Sequence, residues 1–290
     1  MKLLKFLFII LTYALLSCSK STTSKDPSSK KNKSTDSNSQ LAKYDLDSKN
    51  PAVIKLPKEL TEISGITMTP DGRLFAQQDE NGIIYQADYA NGIITKKFAL
   101  GNPVIKDDFE DIAFANNKFY LLKSSGDIYE FDEGVDGEAV EFKIYKTELN
   151  HANDVEGLCF DAETNSLLLA CKGASGTGDN EDKTIYSFSL DSMKLNKTPR
   201  FILSHDEIKK NFNPSGIEKN PFTGTYFIIA ANGNEIIEIS KEGKILGRNS
   251  LPADIHMQPE GITFSKDRNL LISNEGKSGK GYIVIYNYKE

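Results

Sequence analysis

The 290-residue chain is 39% hydrophobic, 26% charged and 10% aromatic, with no Trp. That apolar share, at this length, excludes disorder throughout and suffices for one large core or two medium ones. The net charge of −6 is uneven: residues 1–50 carry nine Lys against four Asp, while the remaining 240 residues sum to −11, which suits a cation and argues against nucleic acid, whose binding needs phosphate neutralisation.

Lys2 and Lys5 flank an apolar run from Leu3 to Leu16, interrupted only by Lys5 and Thr12. It is too short to span a ~30 Å hydrocarbon layer, which takes about 20 apolar residues, and it reads as the core of a secretory signal. The run ends in Leu15-Leu16-Ser17-Cys18, which resembles the lipobox of bacterial lipoproteins. That resemblance implies cleavage before Cys18 and lipidation of Cys18. Ser19 in the next position is similar to the sorting pattern of outer-membrane lipoproteins. The competing reading is an ordinary signal peptide with an incidental Cys. Residues 19–50 are dominated by Ser, Thr, Lys, Asn and Asp; such a segment buries too little apolar surface to offset its chain entropy, so a flexible tether between membrane and body is expected.

From residue 51 the chain repeats itself. Five openers recur: Glu62-Ile63-Ser64-Gly65-Ile66, Asp108-Phe109-Glu110-Asp111-Ile112, Asp154-Val155-Glu156-Gly157-Leu158, Asn213-Pro214-Ser215-Gly216-Ile217 and Gln258-Pro259-Glu260-Gly261-Ile262, with third-residue spacings of 46, 46, 59 and 45. Each leads into a short apolar strand, a turn, a second strand, a polar turn and a third strand; a fourth follows in the first four repeats. Only Glu207 to Asn211 hints at a turn of helix. Four strands per 40–50 residues is the signature of a β-propeller. A two-sheet sandwich would explain strands but not their recurrence. The fifth repeat stops at its third strand, Tyr282 to Tyr286, and the missing fourth is available at Ala52 to Leu56. The expectation is an all-β, five-bladed propeller over 51–290 whose last blade is closed by the N-terminal strand. Cys159 and Cys171 fall on two strands of one hairpin, out of register for a bridge, and read as small buried apolar residues.

First strands line a propeller's channel, so equivalent positions form a ring: Ser64, Glu110, Glu156, Ser215 and Glu260. Three carboxylates converging on an axis repel one another, and desolvation raises their pKa values. A dication removes both problems, and Ca²⁺, which takes six to eight oxygens, suits carboxylates, hydroxyls and water. With no His or Cys in the ring, Zn²⁺ is disfavoured. The other reading is that each Glu caps a turn or bonds backbone amides of a neighbouring blade.

These openers, together with Leu74 to Tyr85 (Leu-Phe-Ala-Gln-Gln-Asp-Glu-Asn-Gly-Ile-Ile-Tyr), resemble the SdiA-regulated family of exported bacterial propellers, from about Tyr44 onward. The resemblance implies fold and export. In the second opener Asp111 stands where the pattern has Gly. More distantly, the ring order Ser, Glu, Glu, Ser, Glu resembles the calcium-activated nucleotidases (apyrases), five-bladed propellers whose central Ca²⁺ is held by that series; the resemblance implies Ca²⁺ on Ser64, Glu110, Glu156, Ser215 and Glu260.

Strand alternation gathers Asp79, Glu80, Lys123, Lys172, Asn232, Asn274 and Glu275 on one face, under an insertion from Gly173 to Asp182. An acidic axis flanked by two Lys could receive a small anionic ligand bridged through Ca²⁺, although strand ends are commonly charged because they are solvated. The insertion lacks the Lys-Ser/Thr ending of a phosphate loop. His151, His205 and His256 sit in inter-blade connections, no Ser-His-Asp set has a motif context and no nucleophile elbow is present, so no catalytic residue is assigned. The favoured expectation is a monomeric, membrane-anchored, calcium-binding propeller that binds a ligand or an envelope protein, periplasmic or surface-facing. The alternative is a Ca²⁺-dependent phosphohydrolase; a lactonase-type propeller is weaker, since those usually have six blades.

Overall fold

In the computed structural model of the protein, residues 38–173, 181–277 and 279–290 are described. The signal segment, the lipidation site Cys18, the tether as far as residue 37 and most of the Gly173–Asp182 insertion lie outside them.

Five antiparallel sheets follow one another along the chain, each beginning at an opener. Blade 1 holds Ile63–Met68, Leu74–Gln78, Ile83–Asp88 and Ile93–Leu100, with Ala139–Val140 added in parallel at its edge. Blade 2 holds Phe109–Ala115, Lys118–Lys123, Ile128–Phe131 and Phe142–Tyr145. Blade 3 holds Val155–Asp161, Ser166–Cys171 and Lys183–Ser189; its fourth position is split between Lys194–Leu195 and Phe201–Leu203, both paired to the third strand. Blade 4 holds Asn213–Lys219, Tyr226–Asn232, Glu235–Ile239 and Ile245–Ser250. Blade 5 holds Pro259–Phe264, Leu270–Asn274 and Tyr282–Tyr286, and Ala52–Lys55 pairs with that third strand as expected. The turns obey local chemistry: Asn116 and Asn117, with φ of 50° and 62°, supply the left-handed backbone that a two-residue hairpin needs.

Closure comes from the seams. The first strands of neighbouring blades touch all the way round, blade 5 meeting blade 1. The residue after each ring glycine position, namely Ile66, Ile112, Leu158, Ile217 or Ile262, enters a different apolar cluster, one per seam. Between blades 1 and 2 the filling is aromatic, with Phe75 edge-on to Phe119 at 4.7 Å and Phe119 stacked on Phe131 at 5.7 Å. Cys159 and Cys171 are free and fully buried, Cys159 opposite Leu168 and Cys171 opposite Val155.

Two local expectations are corrected. The tether does not extend to residue 50: Leu41, Tyr44 and Leu46 are buried in the seam between blades 4 and 5, and a 3₁₀ turn spans Leu41–Lys43. Ser39 Oγ and Gln40 N both donate to Glu238 Oε2, at 2.8 and 2.6 Å, and Tyr44 OH donates to Arg268 O at 2.9 Å. Average composition over 19–50 hides three apolar side chains that each find a pocket. Around Glu207, Ser204 O accepts Glu207 N and Ile208 N in a single turn, with no helix.

Candidate metal centre

Every first strand reaches the hub through an irregularity at the ring position. Pairing register shifts between Ile63 and Ile66, Phe109 and Asp111, Val155 and Gly157, Pro214 and Gly216, and Pro259 and Ile262. Such a bulge bends the strand and re-aims the displaced side chain. The displaced residues include Ser64, Glu110, Glu156, Ser215 and Glu260, so the five sequence-derived candidates occupy equivalent places. The following position must be small where blades meet: a Cβ on Gly261 would lie 2.7 Å from Ser64 O and 2.6 Å from Ser273 Oγ.

Asp111 breaks that glycine pattern for a reason visible at the seam. Its Oδ1 accepts Ile112 N at 2.8 Å and its Oδ2 accepts Leu158 N of blade 3 at 2.7 Å. Gly65 of blade 1, with no Cβ, leaves room for the same carboxyl. Burial holds Asp111 well above the usual carboxylate range, against the pull of those two amides.

The ring serines act as latches. Ser64 Oγ donates to Glu110 O, and Ser215 Oγ donates to Pro259 O at 2.7 Å while accepting Ala231 N at 3.1 Å. Each ties its blade to the next one round the ring. The glutamates do something else. Burial, then Glu156, Asp108 and Glu260, push the Glu110 carboxyl up to about 9. Burial lifts Glu156 to about 8, with Lys172 pulling it back and Glu260 opposing that pull. Burial lifts Glu260 to about 7, against a hydrogen bond from Gln258 and the charge of Lys172. Three carboxyls thus share one field.

One ammonium answers them. Lys172 Nζ is bonded to Glu156 Oε1, with Asp154 Oδ2 at 3.9 Å. Among the described residues, no three His, Cys, Asp or Glu side chains form a ready-made metal-holding group. Carboxylate and hydroxyl oxygens are the donor type that a hard cation takes, and the positive charge beside them in this structure is the Lys172 ammonium.

The face above the hub is polarised. Asp79, lifted to about 6 by burial and then by Glu62, Glu275 and Glu80, has a buried Oδ1 with no partner among the described residues. Burial, then Glu62, also raises Glu275, which accepts a hydrogen bond from Gln258 Nε2. Opposite, on blade 3, Lys183 Nζ donates to Lys172 O at 2.6 Å. Lys123 is paired with Asp107 at 2.9 Å, and Asn232 is exposed at the end of its strand. Asn274 turns inward, its Oδ1 3.2 Å from Nδ1 of the buried His256. Of these, sequence reasoning overlooked Glu62, Gln258 and the Glu156–Lys172 pairing. The missing glycine was the signal for Asp111.

Residues 193–287 match the SdiA-regulated family. That stretch runs from the outer edge of blade 3 through blade 5 and includes Ser215 and Glu260. No curated protein matches the chain. Among solved structures, the glutaminyl cyclase of Myxococcus xanthus is 10% identical over 82% of this chain and 95% of that one, with a TM-score of 0.56. A luciferin-regenerating enzyme is 11% identical over 82% and 95%, TM-score 0.52. The PQQ-bound aldose sugar dehydrogenase of Streptomyces coelicolor is 12% identical over 83% and 99%, TM-score 0.51. At such identities the likeness is one of fold alone.

Proposed function

We propose that this propeller is a calcium-holding binding module of the cell envelope, carried on a lipid at Cys18. The observation that supports it is the hub: three partly or wholly buried glutamates raised by burial and by one another, with one Lys charge among them. Ser64, Glu110, Glu156, Ser215 and Glu260 would hold the ion. Bound Ca²⁺ would add two positive charges to the one on Lys172, enough for all three carboxylates to ionise together, and would offer an anionic ligand a metal to coordinate. The two Ser hydroxyls would serve twice, a lone pair toward the ion and the proton on the next blade's carbonyl. Ser64 and Ser215 lock adjacent blades, Gln258 steadies Glu260 and Glu275, and Lys172 donates a hydrogen bond to Glu156 when the ion is absent.

The test is a thermal melt of the purified protein in Ca²⁺ and in EGTA, because an ion that binds only the folded state must raise the melting temperature. A higher melting temperature in Ca²⁺, with phosphate retained on a nucleoside diphosphate, is expected. Identical melts would end the calcium reading. Calcium-dependent phosphate release, lost in Glu156→Gln, would replace the binding role with the phosphohydrolase.

A further inference from the structure

The first strands run away from the acidic face, and the far ends of three of them open on a cavity. It has about 370 Å³ and lies among blades 4, 5 and 1. Its walls include Met68, Pro221, Phe222 and Phe264, with Thr263 beside them and a single carboxyl, that of Glu218. That volume is within the range of small-molecule sites, which pair apolar walls with a few placed polar groups. Phe222 is 40% exposed, large for an aromatic side chain, and the Arg268 guanidinium lies 4.9 Å from its ring centroid.

Glu218 is out of place as mere structure. Two residues past the ring-glycine position the other blades carry Thr67, Ala113, Cys159 and Thr263, all small and uncharged. Only blade 4 has a carboxyl there, and the side chain is partly accessible from the cavity. Burial pushes it up to about 8, offset by a hydrogen bond from the Lys219 backbone. Burial raises Asp111 and Cys159, and Glu218 adds to the rise in both. Lys266, the cavity's amine, lies with its stem along the Gly72 turn. Among the described residues no cation is paired with Glu218, and a carboxyl so placed in a largely apolar recess is suited to receive one.

We infer that this cavity binds a small organic amine, its ammonium on Glu218 and its apolar body between Phe222, Phe264 and Met68. An ammonium beside Glu218 favours its ionised form, so the carboxyl releases its proton to solvent on binding and accepts a charge-assisted hydrogen bond from the ligand, and Phe222 supplies an aromatic wall to the ligand's body. The inference does not depend on the calcium hub.

The experiment titrates phenethylamine and, separately, its neutral isostere phenethyl alcohol into the full chain, read by calorimetry and by methyl NMR shifts at Met68. The expected result is a preference of about tenfold or more for the amine. Glu218→Gln should erase that preference without lowering the affinity for the alcohol, and Phe222→Ala should weaken both ligands. Equal affinity for the two probes, no saturable binding of the amine, or a preference that survives Glu218→Gln would each overturn the proposal. Phe222 is partly exposed, so Phe222→Ala keeps the test decisive should Glu218→Gln fail to fold; unchanged amine binding in Phe222→Ala would also reject it.

Discussion

Replacing Asp111 tests whether the one departure from the glycine pattern is a seam device. Asp111→Ala removes both acceptors at once, leaving Leu158 N in a buried seam and Ile112 N without their partners at 2.7 and 2.8 Å. An unmet buried amide costs about 1–3 kcal/mol. Two of them, less the relief of no longer burying an ionisable group, give an expected loss of about 2–4 kcal/mol. Asp111→Asn keeps an oxygen for one amide and should recover a good part of that loss. The sign with pH follows from burial. The folded-state pKa of Asp111 is raised, so its favourable contribution is complete below the unfolded value of about 3.9 and is lost as pH rises toward the folded value. Asp111→Asn escapes that loss, and its stability relative to the parent should improve from pH 5 to pH 8. The assay is urea unfolding followed by circular dichroism at both pH values. An Asp111→Ala protein within about 0.5 kcal/mol of the parent, or an Asn variant as unstable as the Ala one, would refute the argument.

If the hub holds calcium as proposed, Lys172→Met removes the ammonium bonded to one of its carboxyls, and calorimetry should show Ca²⁺ affinity rising about tenfold or more; weaker binding would make Lys172 a helper instead. In EGTA the melting temperature should fall as pH rises from about 5 to 9, because Glu260, Glu156 and Glu110 are lifted to about 7, 8 and 9 and their folded forms lose stability as they ionise. Saturating Ca²⁺ should flatten that fall, and a slope unaffected by Ca²⁺ would count against the hub's charge balance. Tyr44→Ala should cost about 3–5 kcal/mol in chemical unfolding, since the ring packs edge-on to Phe227 at 6.0 Å and its hydroxyl bonds Arg268 O; a flexible tether at this position would lose almost nothing.

Much of the architecture could be read before the structure because propeller repeats impose the same local demands five times. The ring glycines recur where backbone meets backbone, and the apolar residue after each one recurs because each seam needs one. The closing strand Ala52–Lys55 was legible as the piece missing from an otherwise complete count. Isolated solutions were not legible. Leu41, Tyr44 and Leu46 carry no period, so only their pockets give them meaning. The pairing of Lys172 with Glu156 depends on the register shift between Val155 and Gly157, which a regular hairpin alignment does not contain. Glu218 differs from its four counterparts by a single letter, and its importance comes from the cavity beside it.

Calcium content measured by elemental analysis, after dialysis against a calcium buffer, addresses the hub most directly. One ion per chain is expected in the parent protein, and none in a variant with Glu110, Glu156 and Glu260 all changed to Gln. A parent protein that retains no calcium, or a triple variant that retains as much as the parent, would contradict it.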